Sequence, residues 1–340
     1  MTKDEGPRVF RPSLFYHLQL AQANWHQNIG PWRNTVLRQT FLTLSNSREL
    51  QDMALHNGLA RRLALRFVAG ETLEQAVSAI RDLNKKKISA TFDRLGENTS
   101  TANDARAAAD AYIQILDTIA ATGINSNVSL KLTQMGLDVD EDLCAANVAR
   151  ICERAKQLNI FVRLDMESTA YTDRTLDLFR KLWHDSGYRN LGVVLQAYLY
   201  RTEEDVREMN RLGARVRLCK GAYNEPADVA FPKKADVDRN YAKLTTLLLR
   251  EGNYPGIATH DARIIAFVKR YAAKHDLKTS SFEFQMLYGV RRELQAELAQ
   301  EGYNMRVYVP YGNEWYPYFM RRLAERPANV VFVAGNLLKR

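Results

Sequence analysis

Residues 191–221 read LGVVLQAYLYRTEEDVREMNRLGARVRLCKG, and this stretch decides the fold. Leu191–Ala197 is a short apolar run, Glu203–Leu212 has helical spacing, and Arg215–Cys219 is a second short apolar run. Strand, helix and strand within about thirty residues form the unit of a parallel sheet. The same rhythm extends in both directions. Apolar runs fall at Ile88–Phe92, Val128–Leu132, Phe161–Met166, Gly256–Thr259, Ser281–Phe284 and Met305–Val309. Between them lie helical segments such as Asp104–Thr122, Glu141–Leu158, Thr172–Asp185, Ala262–Lys274 and Val290–Glu301. Eight such units in residues 88–340 match a closed (βα)8 barrel, whose usual size is about 250 residues. An open doubly wound sheet is the rival. It would usually carry a glycine-rich phosphate turn, and neither G-x-G-x-x-G nor G-x-x-x-x-G-K-[ST] occurs.

Residues 1–87 read differently. Val36, Leu37, Phe41 and Leu44 recur at helical spacing, as do Leu59, Leu63 and Phe67, then Leu73, Ala76, Val77 and Ile80. Gly70-Glu71-Thr72 reads as a helix stop and restart. Residues 1–30 have weak periodicity and are expected to be partly disordered. The domain reading is therefore an N-terminal helical segment, 1–87, ahead of a barrel, 88–340.

The chain has 340 residues, 46% hydrophobic and 26% charged, which is ordinary for a globular protein. Its net charge of +9 is uneven: residues 1–87 hold 13 Lys/Arg against 7 Asp/Glu, a net +6. A basic front segment could meet an anionic membrane surface or nucleic acid, although a solvated helical surface is the plainer reading. No apolar run is long enough to span a membrane, and no secretory signal is recognisable. Arg8 and Arg11, in a weakly acidic start, keep a mitochondrial transit peptide open as the minor alternative. Cys144, Cys152 and Cys219 form no C-x-x-C pair, so buried thiols in a reducing compartment are expected. No zinc-type spacing, H-E-x-x-H or G-x-S-x-G occurs, and no metal site is expected.

Barrel enzymes carry their chemistry where the strands end. Here those ends are polar: Leu95-Gly96-Glu97, Lys131, Asp165, Gln196-Ala197-Tyr198, Arg217 through Tyr223, Thr259-His260-Asp261, Glu283-Phe284-Gln285 and Tyr308. Leu130 and Leu132 flank Lys131, and Leu164 and Met166 flank Asp165. Strand alternation then turns Lys131 and Asp165 inward, where they could pair near the mouth. A purely structural ion pair is the alternative. Lys220-Gly221-Ala222 places a cation beside open backbone amides and suits a phosphate, or is an ordinary glycine turn. His260 is a lone histidine, more often structural than catalytic. In the last helix Tyr318, Arg321, Arg322 and Glu325 share one face. The paired guanidinium forks match a carboxylate, with Glu325 orienting one of them, unless the face is simply solvated.

Assembled in order, these segments resemble the proline dehydrogenase family. The likeness runs from about Leu95 to Asn329 through Leu95-Gly96-Glu97, Val128–Leu132, Arg163–Glu167, Gln196-Ala197-Tyr198, Arg217–Tyr223, Ala258-Thr259-His260, Glu283–Gly289 and Tyr318–Pro327. The resemblance implies a noncovalent FAD contacted by Met166, Gln196, Arg217, Lys220, Gly221, Ala222, Thr259 and His260. It implies Asp165 and Arg217 as catalytic. It implies Lys131, Arg321 and Arg322 as substrate-binding residues, with Tyr223, Leu287, Tyr308 and Tyr318 walling the substrate ring. Glu97 matches a partner of the first arginine of the last helix.

The implied reaction oxidises L-proline to 1-pyrroline-5-carboxylate. A membrane quinone takes the electrons, and a separate pyrroline-5-carboxylate dehydrogenase acts downstream. A cytoplasmic enzyme, peripheral on the inner membrane face, is expected. Asn224-Glu225-Pro226 departs from the bifunctional members, which have Trp after the Lys-Gly-Ala-Tyr segment. This looks like the single-activity branch, and with only a short tail after the barrel no aldehyde dehydrogenase domain is expected. Two rival classes stay open: a Schiff-base lyase or aldolase using Lys131, and a non-catalytic basic protein binding membrane or nucleic acid. With the family reading, no nucleic-acid partner is expected.

Overall fold

The computed structural model describes residues 58–325 apart from Asn98. The helices expected between Pro31 and residue 57, the weakly periodic residues 1–30 and the side chain of Glu325 lie outside the described residues. Among the described residues two helices precede the first strand, α1 (Gly58–Ala64) and α2 (Leu73–Asn84). The restart at Gly70-Glu71-Thr72 is a capping box. Thr72 accepts from the Gln75 amide, and the Gln75 side chain accepts from the Thr72 amide. Ala76, Val77 and Ile80 are the buried face of α2, as their spacing requires.

Eight parallel strands then close in sequence order. They are β1 (Ser89–Arg94), β2 (Ser126–Leu130), β3 (Val162–Leu164), β4 (Leu191–Gln196), β5 (Arg215–Cys219), β6 (Gly256–Ala258), β7 (Glu283–Leu287) and β8 (Asn304–Tyr311). The last pairs with the first, Thr91 opposite Tyr308. The intervening helices are α3 (Ala102–Thr122), α4 (Glu141–Gln157), α5 (Thr172–His184), α6 (Thr202–Leu212), α7 (Lys234–Glu251), α8 (Ala262–Lys274) and α9 (Arg292–Gln300). The expected (βα)8 barrel is the fold found.

The element bounds differ in instructive ways. Strand β7 starts at Glu283, because Thr279–Ser281 is a 3-10 turn. Helix α7 is absent from the sequence reading, yet its buried face, Tyr241, Leu244, Thr245 and Leu248, has plain helical spacing. Strands β2 and β3 end at Leu130 and Leu164, so Lys131 and Asp165 stand one residue past their strands, on the rim.

Alternation sorts the strand residues into two layers. Ala90, Phe92, Val128, Leu130, Val162 and Leu164 face the helices and are fully buried. Removing one such side chain from water contributes roughly 1.5–3 kcal/mol. The other face, turned into the barrel, is unusually polar. It holds Thr91, Asp93, Asn127, Ser129, Arg163, Asp165, Arg217, Glu283 and Gln285, all buried. Barrels are ordinarily filled here by branched apolar side chains. Gly289 fixes the exit of β7. Its φ is +75°, and a Cβ there would collide with the carbonyl of Arg66, so the chain after α1 packs directly on this turn.

By its internal contacts the barrel with its preceding helices forms one unit, Asn57–Trp315. From Tyr316 onward the last helix, α10 (Trp315–Glu325), belongs to a second unit and is described by itself.

Candidate active site

The centre of the mouth is Asp165. Its Oδ1 accepts from the Ser129 hydroxyl and from Arg217 Nη2, and its Oδ2 accepts from the Tyr308 hydroxyl at 2.7 Å. The backbone holds the carboxylate as well, since the Asp165 amide donates to Leu130 at 2.8 Å. Arg217 comes from β5, with its guanidinium 5.0 Å from the Tyr308 ring centre. Burial opposes the Arg217 charge, but Asp165 foremost outweighs it and raises its pKa. The Tyr308 phenol is pushed well above its ordinary value by burial and by Asp165 and Asp93, so it remains neutral. Tyr112 of α3 anchors β2 from behind, donating to the Ser129 carbonyl at 2.9 Å.

Lys131 is inward and buried, but it does not pair with Asp165 as the strand alternation suggested. Its ammonium leans to β1, 3.2 Å from Asp93 Oδ1 and 3.8 Å from Glu97 in the following loop. The reason is occupancy. Asp165 already accepts from Arg217, Ser129 and Tyr308, whereas Asp93 is 1% exposed and lies one strand away. Burial works against the Lys131 charge, yet Asp93, then Glu97 and Asp165, raise its pKa well above the ordinary lysine value. Asp93 itself is shifted up by burial, partly offset by Lys131.

The segments matched to the flavin line the remaining rim. Met166 is buried, and Glu167 beside it accepts from Thr133 through both amide and hydroxyl. The Gln196 side chain donates to the Glu167 carbonyl at 3.1 Å, while its Oε1 is buried without a partner. Lys220 is held by Asp238 at 2.5 Å and Asp261 at 3.2 Å. Against burial, Lys220 and the Arg263 amide hold the Asp261 carboxyl down at about 2. Gly221 has φ +109°, and a Cβ there would run into the Tyr198 ring. The glycine is thus required by close packing on this aromatic. Ala222 is exposed and Tyr223 half-buried. The Thr259 hydroxyl accepts from the Asp261 amide. His260 Nε2 accepts from the Leu287 amide at 3.0 Å, which leaves the ring proton on Nδ1. Leu287 is half-buried at the end of β7.

In α10, taken by itself, the Arg322 guanidinium lies 5.0 Å from the Tyr318 ring centre. Arg321 is the neighbouring position of the same helix.

Three features escaped the sequence reading. Asp93 was lost because the first strand was ended at Phe92; continuing the alternation Thr91, Asp93 would have turned it inward. Ser129, which the same alternation turns inward with Lys131, carries no sequence signal of its own role. Glu225, in the segment that departs from the bifunctional pattern, accepts from the Thr169 amide at 2.9 Å and the Tyr198 hydroxyl at 3.3 Å. It ties the loop after β5 to those after β3 and β4. Among the described residues no group of three His, Cys, Asp or Glu could hold a metal ion, and no helix is long and apolar enough to cross a membrane.

The family model for proline dehydrogenase matches residues 76–335. Proline dehydrogenase 1 of Bacillus subtilis (strain 168) is 47% identical over 305 residues, covering 90% of this chain and 100% of the relative. The proline dehydrogenase of Deinococcus radiodurans is 44% identical over 307 residues, covering 89% and 98%. A crystal structure of proline utilization A from Bdellovibrio bacteriovorus, inactivated by N-propargylglycine, matches with a TM-score of 0.74 at 26% identity. That match covers 83% of this chain and 34% of the other. With barrel, rim cluster and relatives in agreement, the chain belongs to the proline dehydrogenase family, enzymes that oxidise proline.

Proposed function

We propose that the enzyme oxidises L-proline to 1-pyrroline-5-carboxylate with noncovalent FAD and passes the electrons to a membrane quinone. The observation that carries this is the buried Asp165–Arg217–Tyr308 cluster beside Lys131–Asp93 on the rim of a barrel of this family. The rim fits a flavin ring. Gln196 has a buried side-chain oxygen ready to accept from a ring N–H, and Arg217 of the neighbouring strand β5 offers a cationic donor. Met166, Thr259 and His260 complete the proposed ring contacts. Lys220, Gly221 and Ala222 are the proposed phosphate end, although Lys220 is shared with Asp238 and Asp261.

The chain's own residues bind and orient. Arg321 and Arg322, with Lys131, take the substrate carboxylate. Tyr223, Leu287, Tyr308 and Tyr318 wall the ring, and Glu97 and Glu325 orient the cations. Asp165 fixes Arg217 and the neutral Tyr308 hydroxyl, so the donors around the reacting atoms are set before substrate arrives. Bound FAD would accept the hydride from the ring carbon next to nitrogen, and the amine proton leaves to solvent. The Schiff-base alternative for Lys131 is disfavoured by its ion pair, since imine formation needs the neutral amine.

Residues 1–87 are proposed as a helical segment ahead of the catalytic barrel of 88–340. Its basic charge would bring a cytoplasmic enzyme to the anionic inner membrane face, where the quinone lies. A separate dehydrogenase would consume the product. Proline-dependent reduction of a soluble quinone by the purified protein, with release of FAD on denaturation, tests the proposal. A preparation that holds no flavin after incubation with FAD, or is inert to proline, would overturn it.

A further inference from the structure

We propose that Asp93 is a positioning residue for this reaction, holding the Lys131 ammonium at the place where the substrate carboxylate docks. The inference rests on the reading of Lys131 as a substrate-binding residue. It starts from β1. Thr91 and Asp93 alternate with Ala90 and Phe92, so Asp93 is turned into the barrel at the last inward position before the rim. Its carboxylate is 1% exposed and meets Lys131 Nζ at 3.2 Å. Lysine is a flexible four-carbon stem ending in a point charge. Without a fixed partner its head would swing toward any nearby anion.

Stability alone is a poor explanation for the pair. Buried ion pairs can often be replaced by apolar residues at no loss, whereas removing one partner strands a charge. At the mouth the same pair does something apolar residues could not, because it presents a fixed cation to an incoming anion. The charged and titratable groups facing Lys131 are Asp93 of β1, Glu97 after it, Asp165 and Glu167 after β3 and Tyr112 of α3. Tyr308 of β8 and Arg217 of β5 stand beyond, on Asp165. Glu97 is farther from the ammonium than Asp93, at 3.8 Å, and Asp165 is engaged by Arg217. Asp93 is therefore the group whose loss releases Lys131. Once released, the ammonium either swings toward Glu97 and Asp165 or gives up its proton as pH rises, and both weaken carboxylate docking.

The test uses the full-length holoenzyme and tetrahydrofuran-2-carboxylate, a proline analogue without the ring nitrogen, whose charge is constant above pH 6. Its binding is followed from pH 6 to 10 beside proline kinetics. The native enzyme should bind it with a flat profile. Asp93→Asn should bind it at least tenfold more weakly, with affinity falling further as pH rises, because Lys131 now deprotonates within the range. Proline KM should rise by a similar factor, and kcat should fall less than threefold. Asp93→Glu, which keeps the charge but displaces the ammonium, should bind more weakly while restoring the flat profile. Lys131→Met should be weak at every pH, and adding Asp93→Asn to it should change affinity less than twofold.

An Asp93→Asn enzyme with native affinity and a flat profile overturns the proposal. So does a loss that persists undiminished in the Lys131→Met background, which would give Asp93 a separate role. Native affinity in Lys131→Met alone would instead sink the reading of Lys131. Should Asp93→Asn fail to fold, the Glu variant and the double variant decide. A sloping profile in the Glu variant, or a double variant much weaker than Lys131→Met, refutes the inference.

Discussion

The barrel holds two buried charge clusters, one above the other, and they are built on different plans. The lower one centres on Glu283 of β7. Arg306 Nε meets both Glu283 oxygens at 2.9 Å and its Nη1 donates to Ala90. Gln285 donates to Glu283 at 2.6 Å, and the Tyr254 hydroxyl donates to Glu283 at 3.3 Å. Despite burial, Arg306 and Arg163 hold the Glu283 carboxyl below its ordinary range. Both Glu283 oxygens are answered from within the fold. The upper cluster, Asp165–Arg217–Tyr308 with Lys131–Asp93, is also paired, but it stands on the rim. Its neighbour Gln196 keeps a buried oxygen unanswered. Residue type does not separate plug from site, since both contain carboxylates and arginines at inward positions. Height along the strand does, since Arg163 Nη1 beside the lower cluster is buried without a partner just as the Gln196 side-chain oxygen is at the rim.

Substitutions in each cluster and in α10 test that contrast. The largest effect is expected at the plug. Glu283→Ala strands Arg306 in the barrel and should cost about 3–5 kcal/mol of stability, read from denaturant unfolding. Adding Arg306→Met should recover much of the loss. If Glu283→Ala instead left stability intact and abolished turnover, the lower cluster would belong to the site. At the rim the expectation is inverted. Asp165→Ala should lower kcat by roughly a hundredfold or more, about 2.7 kcal/mol, with flavin content nearly normal. A variant that turns over normally would make Asp165 a member of a structural ion pair only. The third effect is smaller and belongs to α10, outside the barrel unit. Arg322→Met should raise proline KM about thirtyfold, near 2 kcal/mol, with flavin retained. Unchanged KM and turnover in both Arg321 and Arg322 variants would reduce the pair to a charged helix face.

The fold was legible because outward strand residues such as Leu130, Leu164 and Leu218 carry a periodic signal that local sequence displays. The inward layer was only half legible. Lys131 and Asp165 were marked as inward by their leucine neighbours. Their partners were not, because pairing depends on how competing carboxylates are already occupied across four strands. Asp93 falls outside because the apolar run ends at Phe92, whereas β1 continues to Arg94. Glu283 and Arg163 lay in recognised segments, but nothing in sequence says how deep in the barrel a residue sits. Gly221 reads in sequence as room for a ligand or as an ordinary turn; its close packing on Tyr198, a contact between separate loops, has no local signal.

Whether the rim cluster works on proline beside a bound flavin can be read from a single spectrum. Purified protein under anaerobic conditions should show the absorption bands of oxidised flavin, and these should bleach on addition of L-proline. The loss should be complete at saturating proline and return when a soluble quinone is admitted. Flavin bands that stay unchanged in proline, or a protein without them after incubation with FAD, would contradict it.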